Sequence, residues 1–453
     1  MLATIQTLIA FIIALGILVT IHEFGHYWVA KKVGVKILRF SVGFGKPLWR
    51  TTRGPDQTEF VIAALPLGGY VKMLGDSGEE VAPADRSRAF EEQTLLGRTL
   101  IVAAGPFANF LFAIFAYWMM YMVGVTGARP IIGSVEQDSI AYNAGLRDGY
   151  EIVAVGERPS PTWDNVFRES ISAILNNSAV ELRAKDLNGI SRDLALNFES
   201  VSVDDISESD FFTEIGIRPY RPIVPPRIGS VVSGEAAAAA GMREGDLIHR
   251  VDGQEIASWT EWVDLIRANP DQTLVVDVEN AGVSRQVLLK PGRTKLDGEE
   301  IGRIGAGVSF DGVEPVPQGV ERYGPVAAFP IAVQQTWQMV TTTLKFLHKM
   351  VAGEASVKNL SGPISIAQYA GQSAQLGLSR FLDFLGLVSV SLGVLNLLPI
   401  PLLDGGHLLF YLVEFITRRP VPESVRLWGQ QLGLVLLLGL MGLAVFNDVM
   451  RIL

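Results

Sequence analysis

His22 and His26 stand four residues apart with Glu23 beside the first, in the run His22-Glu23-Phe24-Gly25-His26. On a helix that spacing points both imidazoles from one face, so they can share a metal ion while Glu23 takes a proton from water at the metal. Histidine is scarce, 5 in 453 residues, so a chance His-Glu-x-x-His in this chain is on the order of one in several hundred. Two imidazoles leave a catalytic zinc one protein ligand short. Asp404, in Pro399-Ile400-Pro401-Leu402-Leu403-Asp404-Gly405-Gly406-His407, is the better third ligand, because a carboxylate completes two histidines and leaves a position for water; His407 is the alternative. The chain has no cysteine, which removes thiolate catalysis, disulfides and sulfur ligands.

These residues must be carried by apolar helices. The composition is 49% hydrophobic and 19% charged, which points to a membrane protein, and stretches at about 4–30, 100–125, 384–403 and 428–447 are each long enough to cross roughly 30 Å of hydrocarbon. The first lacks a basic n-region and a cleavage site and is read as a retained span. The stretch 323–344 carries prolines and glutamines, and Trp337, Val340, Leu344, Leu347 and Val351 form an amphipathic stripe, so it is placed at the membrane surface. Lys31, Lys32, Lys36, Arg39, Lys46, Arg50 and Arg53 follow the first span, and Arg418, Arg419 and Arg426 precede the fourth, which makes both connections cytoplasmic. His26 and Asp404 then meet at one face of the membrane only if a single span separates theirs. A net charge of −9 without a basic run excludes nucleic acid as the main partner. No feature of the sequence sets an oligomeric state.

At an offset of 96 residues the chain repeats itself: Ile132-Gly133-Ser134-Val135 falls on Ile228-Gly229-Ser230-Val231, Ala144-Gly145 on Ala240-Gly241, and Trp163 on Trp259. Each unit resembles a circularly permuted PDZ domain of the bacterial type, with Val251-Asp252-Gly253 in the second and Val155-Gly156-Glu157 in the first. Two generic small β domains are the alternative, and the pair either excludes or recruits substrate. Between the first two spans, Phe40-Ser41-Val42-Gly43-Phe44-Gly45 and Phe60 to Tyr70 read as apolar hairpins dipping into the bilayer, or as ordinary cytoplasmic ones.

At His22 to His26, Gly105-Pro106-Phe107-Ala108-Asn109, the tandem repeat, Asn359-Leu360-Ser361-Gly362-Pro363 and Leu403-Asp404-Gly405-Gly406, the chain resembles the site-2 protease family of intramembrane zinc metalloproteases over its whole length. The resemblance implies zinc on His22, His26 and Asp404, Glu23 as the base, and substrate contacts at Asn396, Gly43, Phe44, Gly45 and Asn109. It implies a multi-pass protein of a bacterial inner membrane that cleaves single-span membrane proteins in an envelope stress response, foremost a trimmed anti-sigma factor, with remnant signal peptides as a second class. The expected architecture is a four-span α-helical membrane protein with a membrane-associated β-hairpin loop and two tandem PDZ-like α+β domains. Its boundaries are a first span over 1–35, the hairpin loop over 36–97, a second span over 98–126, PDZ-like domains over 127–222 and 223–316, surface helices over 317–375, a third span over 376–406, and a loop with the fourth span over 407–453. A metal-holding scaffold and a zinc transporter are the rivals; the open ligand count with Glu23 adjacent disfavours the first, and the near absence of other polar residues in the spans disfavours the second.

Overall fold

The computed structural model describes residues 2–76, 81–175, 179–197, 208–296, 299–352 and 362–452. Asn359, Leu360 and Ser361 of the expected motif lie outside them. Two compact units arise, one from Met1–Val125 with Glu321–Leu453 and one from Thr126–Val320.

The first unit opens with α1 (Leu2–Val33), a long antiparallel pair β1 (Ile37–Arg53) and β2 (Thr58–Met73), and α2 (Leu95–Val123). Thr94 caps α2 by accepting from the Gly97 amide at 3.1 Å, and Gly124, at φ +112°, ends it. The β1–β2 register breaks repeatedly, so that Ser41 lies opposite both Tyr70 and Val61, and Val42 opposite both Gly69 and Ile62. Gly43 and Gly45, at φ +94° and +89°, make the bend that permits this. Apolar side chains Phe44, Leu48, Trp49, Ile62 and Leu65 are exposed on the pair.

The second unit holds two similar halves. In the first, β3 (Val125–Ala128), β4 (Ile132–Val135) and α3 (Ile140–Asn143) lead to a sheet of β5 (Glu151–Val155), β6 (Arg158–Pro159), β7 (Ala179–Lys185) and β8 (Ser191–Asn197) in the order β6-β5-β7-β8. Helix α4 (Trp163–Leu175) lies between β6 and β7, and α5 (Glu208–Glu214) precedes β9 (Ile217–Pro219), which pairs with β4. The second half runs β10 (Ile228–Val231), α6 (Ala236–Ala239), β11 (Leu247–Val251), β12 (Gln254–Glu255), α7 (Trp259–Ala268), β13 (Leu274–Asn280) and β14 (Val283–Leu289), with sheet order β12-β11-β13-β14. The hairpin β15 (Gly292–Leu296) and β16 (Glu299–Arg303) stands where the first half has α5, before β17 (Ala306–Val308) pairs with β10. The matched tryptophans, Trp163 and Trp259, each open the corresponding helix, and each half has its own buried core, around Ile132, Ile152 and Leu196 in one and Ile228, Ile248 and Trp262 in the other. The final strand, β18 (Gln318–Glu321), pairs with β3.

The chain then completes the first unit with α8 (Pro325–Val351), α9 (Pro363–Gln375), α10 (Leu378–Leu397), α11 (Asp404–Thr417) and α12 (Glu423–Ile452). Among the described residues, four helical stretches are long and apolar enough to cross a membrane: Thr4–Val33, Leu95–Val123, Leu378–Leu397 and Glu423–Arg451. Helix α2 packs against α1, α8 and α10, with Ala113, Tyr117, Ala328, Val390 and Val394 in one shared core and Ala10, Ala14, Leu18, Ala370 and Phe384 in another. Asp448 of α12 caps α9 from outside, its carboxylate accepting from the Gly362, Ile364 and Ser365 amides at 2.9–3.1 Å.

One expectation needs correcting. Asp404 does not end the third apolar helix, which stops at Leu397; it opens α11, and residues 407–417 are helical rather than loop. Pro399 and Pro401 supply no amide hydrogen to continue α10. The chain doubles back so tightly that a Cβ at Gly405 would strike the Leu397 and Leu398 carbonyls, and one at Gly406 the Ile400 carbonyl. The two glycines are what let α11 start there.

Candidate metal centre

The site forms where α1, α2, α10 and α11 converge. Gly25 of α1 lies on the Ala104 carbonyl of α2, where a Cβ would overlap it, and a Cβ at Gly105 would fall on the His26 ring and 2.8 Å from His22 Cε1. These two glycines let the helices approach closely enough for α2 to reach both imidazoles. The His26 Nδ1 lies 2.9 Å from the Ile101 carbonyl, and the His22 Nδ1 lies 3.1 Å from the Asn109 side-chain amide.

Both Nε2 atoms therefore face the other way, toward Asp404. His22 Nε2 is 3.3 Å from Asp404 Oδ2, His26 Nε2 is 3.5 Å from it, and the two nitrogens are 3.3 Å apart. Among the described residues this is the one group of three or more His, Cys, Asp or Glu side chains spaced to hold a metal. A tetrahedral centre with bonds of about 2.0–2.1 Å has edges of about 3.3–3.4 Å, so the triangle is the size that zinc requires. Asp404 Oδ2 is buried and finds no hydrogen-bond partner, which is costly for a carboxylate unless a cation takes it. Two neutral imidazoles and one carboxylate are also the right donors for zinc with a position left open.

Glu23 is 9% exposed and lines the same cavity of about 240 Å³ as the three ligand candidates, together with Gly69, Tyr70, Val71, Asp76, His407 and Tyr411. The arrangement offers three side chains spaced to hold a metal, with a further carboxylate in the same cavity. Helix α11, which carries Asp404, is tied to α2 by Arg98 and Glu414 at 2.7 Å.

The other sequence-predicted residues fall at different places. Asn396 Nδ2 lies 3.5 Å from His22 Nε2, at the rim of the triangle. Asn109 has no exposed surface. Gly43, Phe44 and Gly45 form the β1 bend, with Phe44 stacked on Tyr70 at 6.1 Å between centroids; the β strand that lines the cavity is instead Gly69 to Met73 of β2. Gly69 is needed there, since a Cβ would lie 2.8 Å from Glu23 Cγ and 2.7 Å from the Ser41 carbonyl. His407 lines the cavity but does not join the ligand triangle, and burial pushes its imidazole down from its ordinary value, against the opposing charge of Asp404. Gly69, Ile101 and Tyr411 escape sequence reasoning, and Gly105 enters it only as part of the Gly105–Asn109 motif: the further hint is a pair of glycines inside a strand pattern and one inside an apolar helix.

The family model described as Peptidase family M50 matches residues 10–440. The chain is 42% identical to the regulator of sigma-E protease RseP of Salmonella typhimurium strain 14028s, and 43% identical to that of Escherichia coli strain K12, in both cases across 100% of both chains. A putative zinc metalloprotease of Vibrio cholerae serotype O1 is 40% identical over 98% of each chain. A family match over nearly the whole length, around a carboxylate-flanked two-histidine, one-aspartate triangle, means that the chain belongs to peptidase family M50.

Proposed function

We propose that this protein is a zinc-dependent intramembrane endopeptidase in which His22, His26 and Asp404 hold the metal and Glu23 is the base. The observation that carries this reading is the triangle of 3.3–3.5 Å edges with the orphaned Asp404 Oδ2 at one corner. When bound, zinc supplies Lewis acidity, polarising a carbonyl and acidifying water. Glu23, one residue from His22 on α1, takes the proton from the attacking water and passes it to the leaving amine. Asn396 is placed to hold a freed peptide group beside the metal, which an intact substrate helix does not offer. An unwound segment can be held by backbone pairing to the β1–β2 hairpin, near Gly43, Phe44 and Gly45 at its bend and Gly69 at the cavity.

The proposed substrates are single-span membrane proteins cleaved within or near the bilayer, an anti-sigma factor first among them, consistent with relatives named as regulators of sigma-E protease. The protein sits in a bacterial inner membrane, with the zinc site near the cytoplasmic side and the 127–222 and 223–316 regions as periplasmic PDZ-like domains; the basic residues after the first span and before the fourth support that orientation. These domains select substrate across the membrane from the metal. The two halves are not equivalent: a cleft of about 560 Å³ bordered by Trp259, Trp262 and Ile266 of α7 opens in the second. In the first, Phe212 and Phe211 of α5 pack on Trp163 and Phe167, at 4.7 and 5.5 Å between centroids.

The test is hydrolysis of a single-span substrate by purified protein with Glu23→Gln as its partner. The variant should keep its zinc and lose cleavage, since only the proton acceptor is gone; cleavage retained at the wild-type rate would remove Glu23 from the mechanism.

A further inference from the structure

A histidine that holds a metal through Nε2 carries its remaining proton on Nδ1 and must donate it. His26 satisfies this with the Ile101 carbonyl, 2.9 Å from Nδ1. At His22 the partner is the side chain of Asn109, which offers either an acceptor carbonyl or a donor amino group. The two ends are nearly identical in shape, so chemistry must decide which faces the ring. With the amino end at 3.1 Å from Nδ1, His22 would have to accept there, its proton would sit on Nε2, and Nε2 could not ligate. With the carbonyl end turned to the ring, Nδ1–H donates and the Nε2 lone pair is free to point at the triangle. The same turn gives Asn109 Oδ1, otherwise buried and without a hydrogen-bond partner, a donor, and carries Nδ2 to the position Oδ1 leaves.

We propose that Asn109 is a positioning residue: its carbonyl fixes the tautomer and orientation of His22 and thereby makes that ring a metal ligand. Asn109 is well placed for this, being 0% exposed and anchored where the Ser389 hydroxyl of α10 donates to its main-chain carbonyl at 2.8 Å. The proposal rests on the zinc reading, and it moves Asn109 from substrate contact to the shell behind a ligand.

The experiment compares zinc affinity, by chelator competition in detergent, of the full chain with those of Asn109→Leu and Asn109→Asp. Asn109→Leu keeps the volume and removes the acceptor, and should weaken zinc binding by about 10–100-fold. Asn109→Asp restores an acceptor of the same shape and should bind within about threefold of wild type, a rescue that a merely space-filling role would not produce. Equal weakening in both variants, with the metal-free proteins unfolding at the wild-type temperature, would overturn the proposal, as would an unweakened Leu variant. Wild-type protein that takes up no zinc would instead remove the metal reading and this proposal with it.

Discussion

Gly105 is neither a ligand nor a base, yet adding one methyl group to it should empty the site. An ideal Cβ at that position would lie 2.8 Å from His22 Cε1 and overlap the His26 ring. Ordinary carbon contacts need about 3.5–4.0 Å, so the His22 ring alone would have to retreat by roughly 0.7–1.2 Å. Helix α2 cannot move away as a body without losing its own seat, because Gly25 already meets the Ala104 carbonyl on the same face. Zinc sites tolerate ligand displacements of only about 0.2 Å, so Gly105→Ala should weaken zinc binding by about 100-fold or more, about 2.7 kcal/mol. Metal-free stability should move much less, because the gain of about 1 kcal/mol in helix propensity offsets part of an overpacking cost of about 1–3 kcal/mol. The assay is zinc content and chelator competition alongside thermal unfolding, with Gly16→Ala as control: Gly16 lies on α1 with nothing within 4 Å of an added Cβ. Zinc affinity in Gly105→Ala equal to that in Gly16→Ala would refute the packing argument.

Asp404→Asn and His26→Ala should each lose zinc on purification, whereas His407→Ala should keep it, as its position outside the triangle requires; zinc loss confined to the His407 variant would transfer the third ligand to it. Asp186 accepts from the Ile190 and Asn188 amides and from Arg192, which holds its carboxyl below the ordinary value. Its folded value is thus the lower one, so its contribution is present above the unfolded value of about 3.9 and fades as pH falls through the folded one. Hydrogen exchange should show protection at Asn188 and Ile190 that declines at acid pH in the wild type and is already weak at pH 7 in Asp186→Asn; identical profiles would show that the carboxylate does not hold this turn. A reporter fused after Leu453 should appear on the same side of the membrane as one inserted within 131–316, because four spans return the chain to its starting side. Opposite sides would mean an odd number of spans.

Much of this protein is legible in local sequence. The candidate ligand types follow from residues i and i+4 on one helix face, and the four helices of membrane-crossing length and apolarity among the described residues follow from apolar runs, since both signals depend only on neighbours in the chain. The repeat at an offset of 96 residues appears again as helices α4 and α7, each opened by its tryptophan. The end of the third helix was legible as a break but not as a new beginning: prolines announce that α10 must stop, while the start of α11 at Asp404 depends on Gly405 and Gly406 finding room against carbonyls of the preceding turn.

Tertiary structure alone decided what surrounds the ligands. Asn109 is 87 residues from His22, and Ile101 is 75 from His26; no periodicity links positions so far apart, and their meeting depends on how closely α1 and α2 cross. Register in the β1–β2 pair is likewise a long-range choice, which puts Gly69 rather than the Gly43–Gly45 bend against Glu23. The sequence by itself therefore determined which side chains can do the chemistry and that they ride on apolar helices. Which atoms face one another was settled by close helix packing, because distant glycines let α2 come near enough for Ile101 and Asn109 to reach the ring nitrogens of His26 and His22.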